Sequence, residues 1–142
     1  MLGAEIDASN ARFVTALAAG DAGAAVAVYA ADGTLVAPTG DVIRGREAIE
    51  RFWRSGIDLG LRTAEYEALD HCRERELAFE FGRCRLHLLE SGDGPPKTEL
   101  GSYLIVYARE DDGSWKRAVD MFTTARDGAL SPRACPRKEE GT

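Results

Sequence analysis

Near the C-terminal end of the chain, the run GSWKRAVDMFTT sets Asp120 between Val119 and Met121 in a stretch with the alternation of a β-strand. A carboxylate there faces solvent, closes an ion pair, or points into a pocket where it moves protons. Other chemistries have little to stand on. His71 and His87 are the only histidines and form no HxH or HxxxH pair. Cys72, Cys84 and Cys135 are an odd set without CxxC spacing, so neither a disulfide framework nor a zinc site is implied. No GxGxxG, GxxxxGK[ST] or GxSxG motif occurs, which removes the usual sequence grounds for dinucleotide, P-loop and serine-hydrolase chemistry. The expectation is therefore no metal, no flavin and no nicotinamide.

The elements that must position such a residue are legible in outline. With 142 residues, 44% of them hydrophobic and 30% charged, the chain suits one domain with a single core. Its 18 Lys+Arg against 24 Asp+Glu give a net charge of −6, with no basic run to attract a phosphate backbone, so nucleic acid is not an expected partner. The longest apolar stretches are alanine-rich and too short to span a bilayer. The start MLGAEIDASNARF lacks a signal peptide's basic and apolar regions; the expected setting is cytoplasmic and without membrane.

Ile6, Asn10, Phe13, Val14 and Leu17 recur at helical spacing. Gly20 can end that helix in the left-handed conformation, and Asp21 can cap a second helix over AGAAVAVYA. TLVAP, stopped by Pro38, and VIRG read as short extended pieces. REAIERFWRSGI puts Ile49, Phe52, Trp53 and Ile57 on one face of a third helix. From Leu61 the period becomes two, with strands expected near 61–70, 76–90, 97–109 and 115–124 joined by HCRER, SGDGPP and EDDGS; such short links predict an antiparallel meander. The tail, residues 126–142, has few apolar residues and two prolines and is expected to lack order. The fold class is thus α+β over residues 1–125, with three N-terminal helices wrapped by a curled antiparallel sheet that leaves a conical cavity.

RFVTALAAGDAGAAVAVYAADGTLVAP, then IRGREAIERFW and later GSYLIVYAREDDGSWKRAVDMF, resemble the nuclear-transport-factor-2-like superfamily, in particular its SnoaL-like and ketosteroid-isomerase-like branches, over about residues 5 to 124. In ketosteroid isomerases the resemblance places an oxyanion-hole tyrosine at Phe13 and an aspartate base at Ala37; both groups are absent here, which argues against steroid isomerisation by that mechanism. The later strands match better. Tyr103 falls near the isomerases' second oxyanion-hole group, and Asp120, five residues beyond Trp115, falls on the acid/base aspartate of SnoaL-like cyclases. The cyclases' histidine two residues earlier is Ala118.

On this footing Asp120 points into the cone, alternating with Ala118 and Phe122. Its alternative is an ion pair across the sheet with Arg83 or Arg85, which alternation sets on the face of Phe79 and Phe81. The implied catalytic set is Asp120 as acid/base, Tyr103 as donor to a developing oxyanion and Arg83 as electrostatic partner, with a pocket wall of Phe13, Leu17, Val36, Phe52, Trp53, Phe79, Phe81, Ile105, Ala118 and Phe122. The expected ligand is a small apolar or aromatic molecule. The implied reactions are isomerase, cyclase, dehydratase or hydrolase chemistry without a cofactor; the alternative is a ligand-binding or self-association module of the same fold. Strands apolar on both faces predict a homodimer through the outer sheet face.

Overall fold

The structure is a computed structural model and describes residues 2–89 and 96–125. The 126–142 tail and the tip of the 88–97 connection lie outside them. Helix α1 (Leu2–Ala18) is followed by a single helical turn, α2 (Ala22–Ala25), and a 3-10 turn at Val26–Val28. Strands β1 (Tyr29–Val36) and β2 (Val42–Arg44) precede α3 (Arg46–Asp58), and β3 (Leu61–Glu74), β4 (Leu77–Leu88), β5 (Lys97–Arg109) and β6 (Trp115–Phe122) complete the chain.

Helix α1 buries Ile6, Phe13, Ala16 and Leu17, the stripe its spacing announces. Gly20 turns the chain at φ 70°, and the Asp21 carboxylate accepts from Ala24 N at 2.9 Å, satisfying an otherwise orphaned amide at the start of α2. The second helix is shorter than expected. Val26 and Val28 are buried from a 3-10 turn and Tyr29 from extended chain, so β1 begins at Tyr29 rather than after Gly33. Helix α3 buries Ile49 and Trp53 and half-buries Phe52 and Ile57.

The six strands form one sheet in the order β2-β1-β6-β5-β4-β3. Strands β3 to β6 pair antiparallel as the meander predicts, but β1 lies parallel to β6, so the sheet is mixed. Strand β3 also runs on to Glu74, through most of the HCRER segment expected to turn. The close approach that bends the sheet is visible at Gly101, where an added Cβ would fall on the Thr123 carbonyl. One core cluster joins α1, α3 and the concave face, with Phe13, Tyr29, Trp53, Tyr103 and Phe122 in it and Tyr66 packed against it.

Two register shifts decide which side chains enter that core. On β6, Val119 pairs with Val106 but Arg117 pairs with Tyr107, leaving Ala118 as the extra residue of a bulge. Trp115 and Arg117 are therefore inward before the bulge, and Asp120 and Phe122 inward after it. On β3, Leu69 is the extra residue between Ala68, opposite Gly82, and Asp70, opposite Phe81.

Candidate active site in the cone

The centre of the cone is polar and almost fully enclosed. Asp120 is 3% exposed and Arg117 0%. Arg117 Nη1 donates to Asp120 Oδ2 at 3.2 Å, and the Tyr29 hydroxyl donates to the same oxygen at 2.5 Å. That hydroxyl in turn accepts from Trp53 Nε1 at 3.1 Å. Arg117 Nη2 donates to Asn10 Oδ1 at 2.8 Å, and Asn10 Nδ2 donates to Glu80 Oε1 at 3.4 Å. Tyr103 donates to that same Glu80 oxygen at 2.6 Å. Two buried carboxylates thus sit on one side-chain network with a single guanidinium. The Arg117 guanidinium lies 4.6 Å from the Phe13 ring centroid and also faces Tyr29 and Tyr66, and Arg117 Nε finds no acceptor among the described residues.

Electrostatics follow from enclosure. Burial raises the Asp120 pKa above the ordinary carboxylate range, with the Arg117 charge and the hydrogen bonds from Tyr29 and Arg117 opposing it. Tyr29 is held well above its usual value by burial and by the Asp120 charge, and Cys84 is pushed up to about 11 by the same two causes in the same order. A carboxyl that keeps its proton more readily than usual, donor-bonded by a tyrosine and walled by rings, has the chemistry of a proton-transfer group. The wall is aromatic: Trp53 stacks on Phe122 at 5.6 Å, and Phe13 and Phe52 meet Trp53 edge-on at 5.0 Å each.

The sequence-based assignments divide cleanly by strand. Phe13, Leu17, Trp53, Ile105 and Phe122 are buried in this core and Phe52 packs half-buried against it; Val36, expected in the wall, lies beside outward-facing Met121 while Leu35 takes the inward place opposite Asp120. Asp120 and Tyr103 are inward, and Tyr103 bonds Glu80 rather than standing beside Asp120. On β4 the inward row is Ala78, Glu80, Gly82, Cys84 and Leu86. Phe79, Phe81, Arg83 and Arg85 therefore face outward, which corrects their expected placement in the cone. The ion pair anticipated between Asp120 and Arg83 or Arg85 is made by Arg117. Ala118 is the bulge residue and not the inward neighbour of Asp120.

Arg117, Tyr29 and Glu80 were not singled out in the sequence, and Asn10 only as part of the α1 stripe. One signal pointed to the first: Trp115 and Phe122 stand an odd number of positions apart, so a regular strand cannot bury both, and burying both requires a bulge that also brings Arg117 inward.

Hollows open elsewhere. One of about 380 Å³ is lined by residues 65–67 of β3, 83–85 of β4 and Leu100 and Gly101 of β5. A shallower one of about 310 Å³ lies among Leu69, Phe81, Leu104 and Met121. A third, of about 390 Å³, lies between the start of α1 and the β3 bulge. Asp120 borders none of these three. Among the described residues no group of three His, Cys, Asp or Glu is placed to hold a metal ion, and no helix is long and apolar enough to cross a membrane.

A curled sheet closed over three helical segments, with a carboxylate and a guanidinium buried at its centre, defines an α+β cone of the nuclear-transport-factor-2-like kind. The chain belongs to the SnoaL-like domain family, whose model matches residues 10–131. Among curated proteins it is similar to a steroid Δ-isomerase from Nocardioides simplex, 47% identical over 53 residues; the match covers 37% of this chain and 43% of that protein, less than half its length. Among solved structures, a ketosteroid isomerase-like protein from Erwinia carotovora atroseptica superposes with a TM-score of 0.74 at 20% identity, covering 87% of this chain and 95% of that one. A scytalone dehydratase-like protein from Novosphingobium aromaticivorans gives 0.70 at 16% identity, covering 85% and 82%. At these identities the solved structures speak to the fold alone.

Proposed function

We propose that this chain is a cofactor-free acid/base enzyme acting on a small apolar or aromatic carbonyl or hydroxyl compound, with Asp120 as the proton-transfer group. The observation that carries the reading is the short Tyr29–Asp120 hydrogen bond inside an aromatic enclosure. Asp120 exchanges a proton with the substrate carbon or leaving oxygen, and Arg117 offsets the charge that appears when the proton is gone. Tyr29, already polarised by Trp53 Nε1, turns its hydroxyl to the substrate oxygen as negative charge develops there. Tyr103 performs that task only by exchanging Glu80 for the ligand. The steroid isomerase relative suggests steroids as a first class to screen, and the aromatic wall suggests small aromatic ketones and alcohols beside them. With Phe13 and Ala37 where ketosteroid isomerases carry their tyrosine and aspartate, catalysis here runs through different groups even if a steroid is accepted.

The test is conversion of such a panel by wild-type protein and by Tyr29→Phe. The variant is expected to turn over at least about tenfold more slowly with little change in KM, since the hydroxyl acts mainly in the transition state. Equal turnover in the two proteins would remove Tyr29 from the mechanism, and no conversion or saturable binding across the panel would favour a module without catalysis.

Self-association rests on a separate observation. Phe81, Leu104 and Met121 stand side by side in register on the outward face and are 39–41% exposed, with Phe79 beside Phe81 at 6.4 Å. A contiguous apolar patch of this kind marks an interface, and a second copy covers it by a twofold axis. Light scattering is expected to give twice 15.4 kDa at micromolar concentration and a folded monomer for Phe81→Glu; a wild-type protein that stays monomeric there counts against the dimer.

A further inference from the structure

Asn10 of α1 stands where the two carboxylates of the buried network are joined. Its Oδ1 accepts from Arg117 Nη2 at 2.8 Å and from the Tyr107 hydroxyl at 3.4 Å, and its Nδ2 donates to Glu80 Oε1 at 3.4 Å. Only this orientation of the amide fits. Turned over, it would set its NH2 against a guanidinium and its oxygen against a carboxylate. Arg117 therefore meets the two acids differently. It touches Asp120 directly at 3.2 Å, forms no ion pair with Glu80 among the described residues, and is linked to it through the Asn10 amide.

A guanidinium with 0% exposure has no bulk water to fall back on, so the acceptors around it decide where it points. Nη1 has Asp120, Nη2 has Asn10, and Nε has none among the described residues. Asn10 thus occupies Nη2 with a neutral acceptor. Were Nη2 free, Glu80 would be the next charged acceptor along the network, and one cation would be shared between two anions. A shared cation favours the Asp120 anion less than an undivided one does.

We propose that Asn10 is a positioning residue of the site: its side-chain amide insulates Glu80 from Arg117 and so assigns the guanidinium to Asp120. Its consequence for catalysis rests on Asp120 being the proton-transfer group, whereas the charge assignment is measured without a substrate. The other groups facing Asp120 leave that measurement clear. Tyr29 of β1, Tyr66 of β3, Cys84 of β4 and Tyr107 of β5 are all held above their usual values, chiefly by burial, and stay neutral near neutral pH. From α1 and α3 come Asn10, Phe13 and Trp53, which carry no charge.

The test follows the Asp120 side-chain carboxyl by ¹³C NMR through a pH titration of the full chain, the signal being assigned by its loss in Asp120→Asn. Asn10→Leu should raise the titration midpoint by about one pH unit, since part of the opposite charge is withdrawn. Glu80→Gln alone should move it much less. In the double variant the midpoint should return to that of Glu80→Gln, because a neutral side chain at position 80 no longer draws the guanidinium away. A residue that only fills space would not produce this non-additivity. Should Asn10→Leu fail to fold, Asn10→Ser, too short to span Arg117 and Glu80, carries the same expectation. With a substrate in hand, the pH profile of kcat should move with the midpoint; a protein without turnover removes the acid/base reading and leaves the NMR result standing. An Asp120 midpoint unchanged in Asn10→Leu, or a rise that Glu80→Gln does not reverse, overturns the proposal.

Discussion

Asp120→Asn is expected to lower turnover of any substrate found for this protein by about a hundredfold or more, the usual contribution of a positioned proton donor or acceptor. Asparagine keeps the shape of the side chain and can still accept from Tyr29 and Arg117, so the cone should remain folded. The substitution also removes the anion that faces Arg117, a cation with 0% exposure, so some stability is lost, on the order of 2–3 kcal/mol for a charged hydrogen bond at an enclosed site. Turnover must therefore be measured well below the melting temperature and referred to folded protein. A melting temperature lowered by several degrees with catalysis and ligand binding unchanged would make Asp120 a structural partner of Arg117 and sink the acid/base assignment.

Arg117→Met should cost more stability than any other single change in the network, about 3–5 kcal/mol near neutral pH, because it leaves Asp120 as a buried anion without a cation. Methionine fills much of the same volume against Phe13 and Tyr66, so the loss reads charge more than packing. Its pH dependence carries the sharper test. The folded-state pKa of Asp120 is raised by burial in the wild type, and removing Arg117 removes the largest influence that lowers it. A carboxyl with a raised folded pKa favours the native state below its unfolded pKa, and that advantage is lost as pH rises through the folded value. The deficit of Arg117→Met relative to wild type should accordingly be smallest at the acid end of a series from pH 4 to 8, as Asp120 takes up a proton, and grow toward the alkaline end. Urea unfolding of both proteins across that interval measures it; a deficit that does not change with pH would show that Arg117 stabilises the cone by packing, without compensating the Asp120 charge.

Much of the scaffold was legible because it rests on local rules. The stripe of Ile6, Phe13 and Leu17 fixed α1, Asp21 its following cap, the Ile49 to Ile57 face α3, and alternation with short links the β3 to β6 meander. The inward position of Asp120 followed from its likeness to SnoaL-like sequences, and burial agrees with it. Errors of detail fell where two parts of the chain compete for the same residues. Tyr29 has helical neighbours in sequence, but its partners Asp120 and Trp53 are distant, and a strand satisfies them where a longer second helix would not.

What only the tertiary structure decided is the company Asp120 keeps. Alternation counted along β6 sets Lys116 and Ala118 on the face of Asp120 and counted along β4 leaves the choice of face open. The bulge at Ala118 reverses the phase and brings Arg117 inward, and the pairing of β4 with β5 turns Glu80 and Cys84 into the cone while Phe79, Phe81 and Arg83 go outward. The sequence by itself determined the elements and the presence of a carboxylate in the last strand, because those depend on periodicities of a few residues. The counter-ion, the second buried carboxylate and the outward apolar patch were decided by register, which is set by the whole core packing at once: a one-residue slip exchanges every side chain between the two faces of a strand.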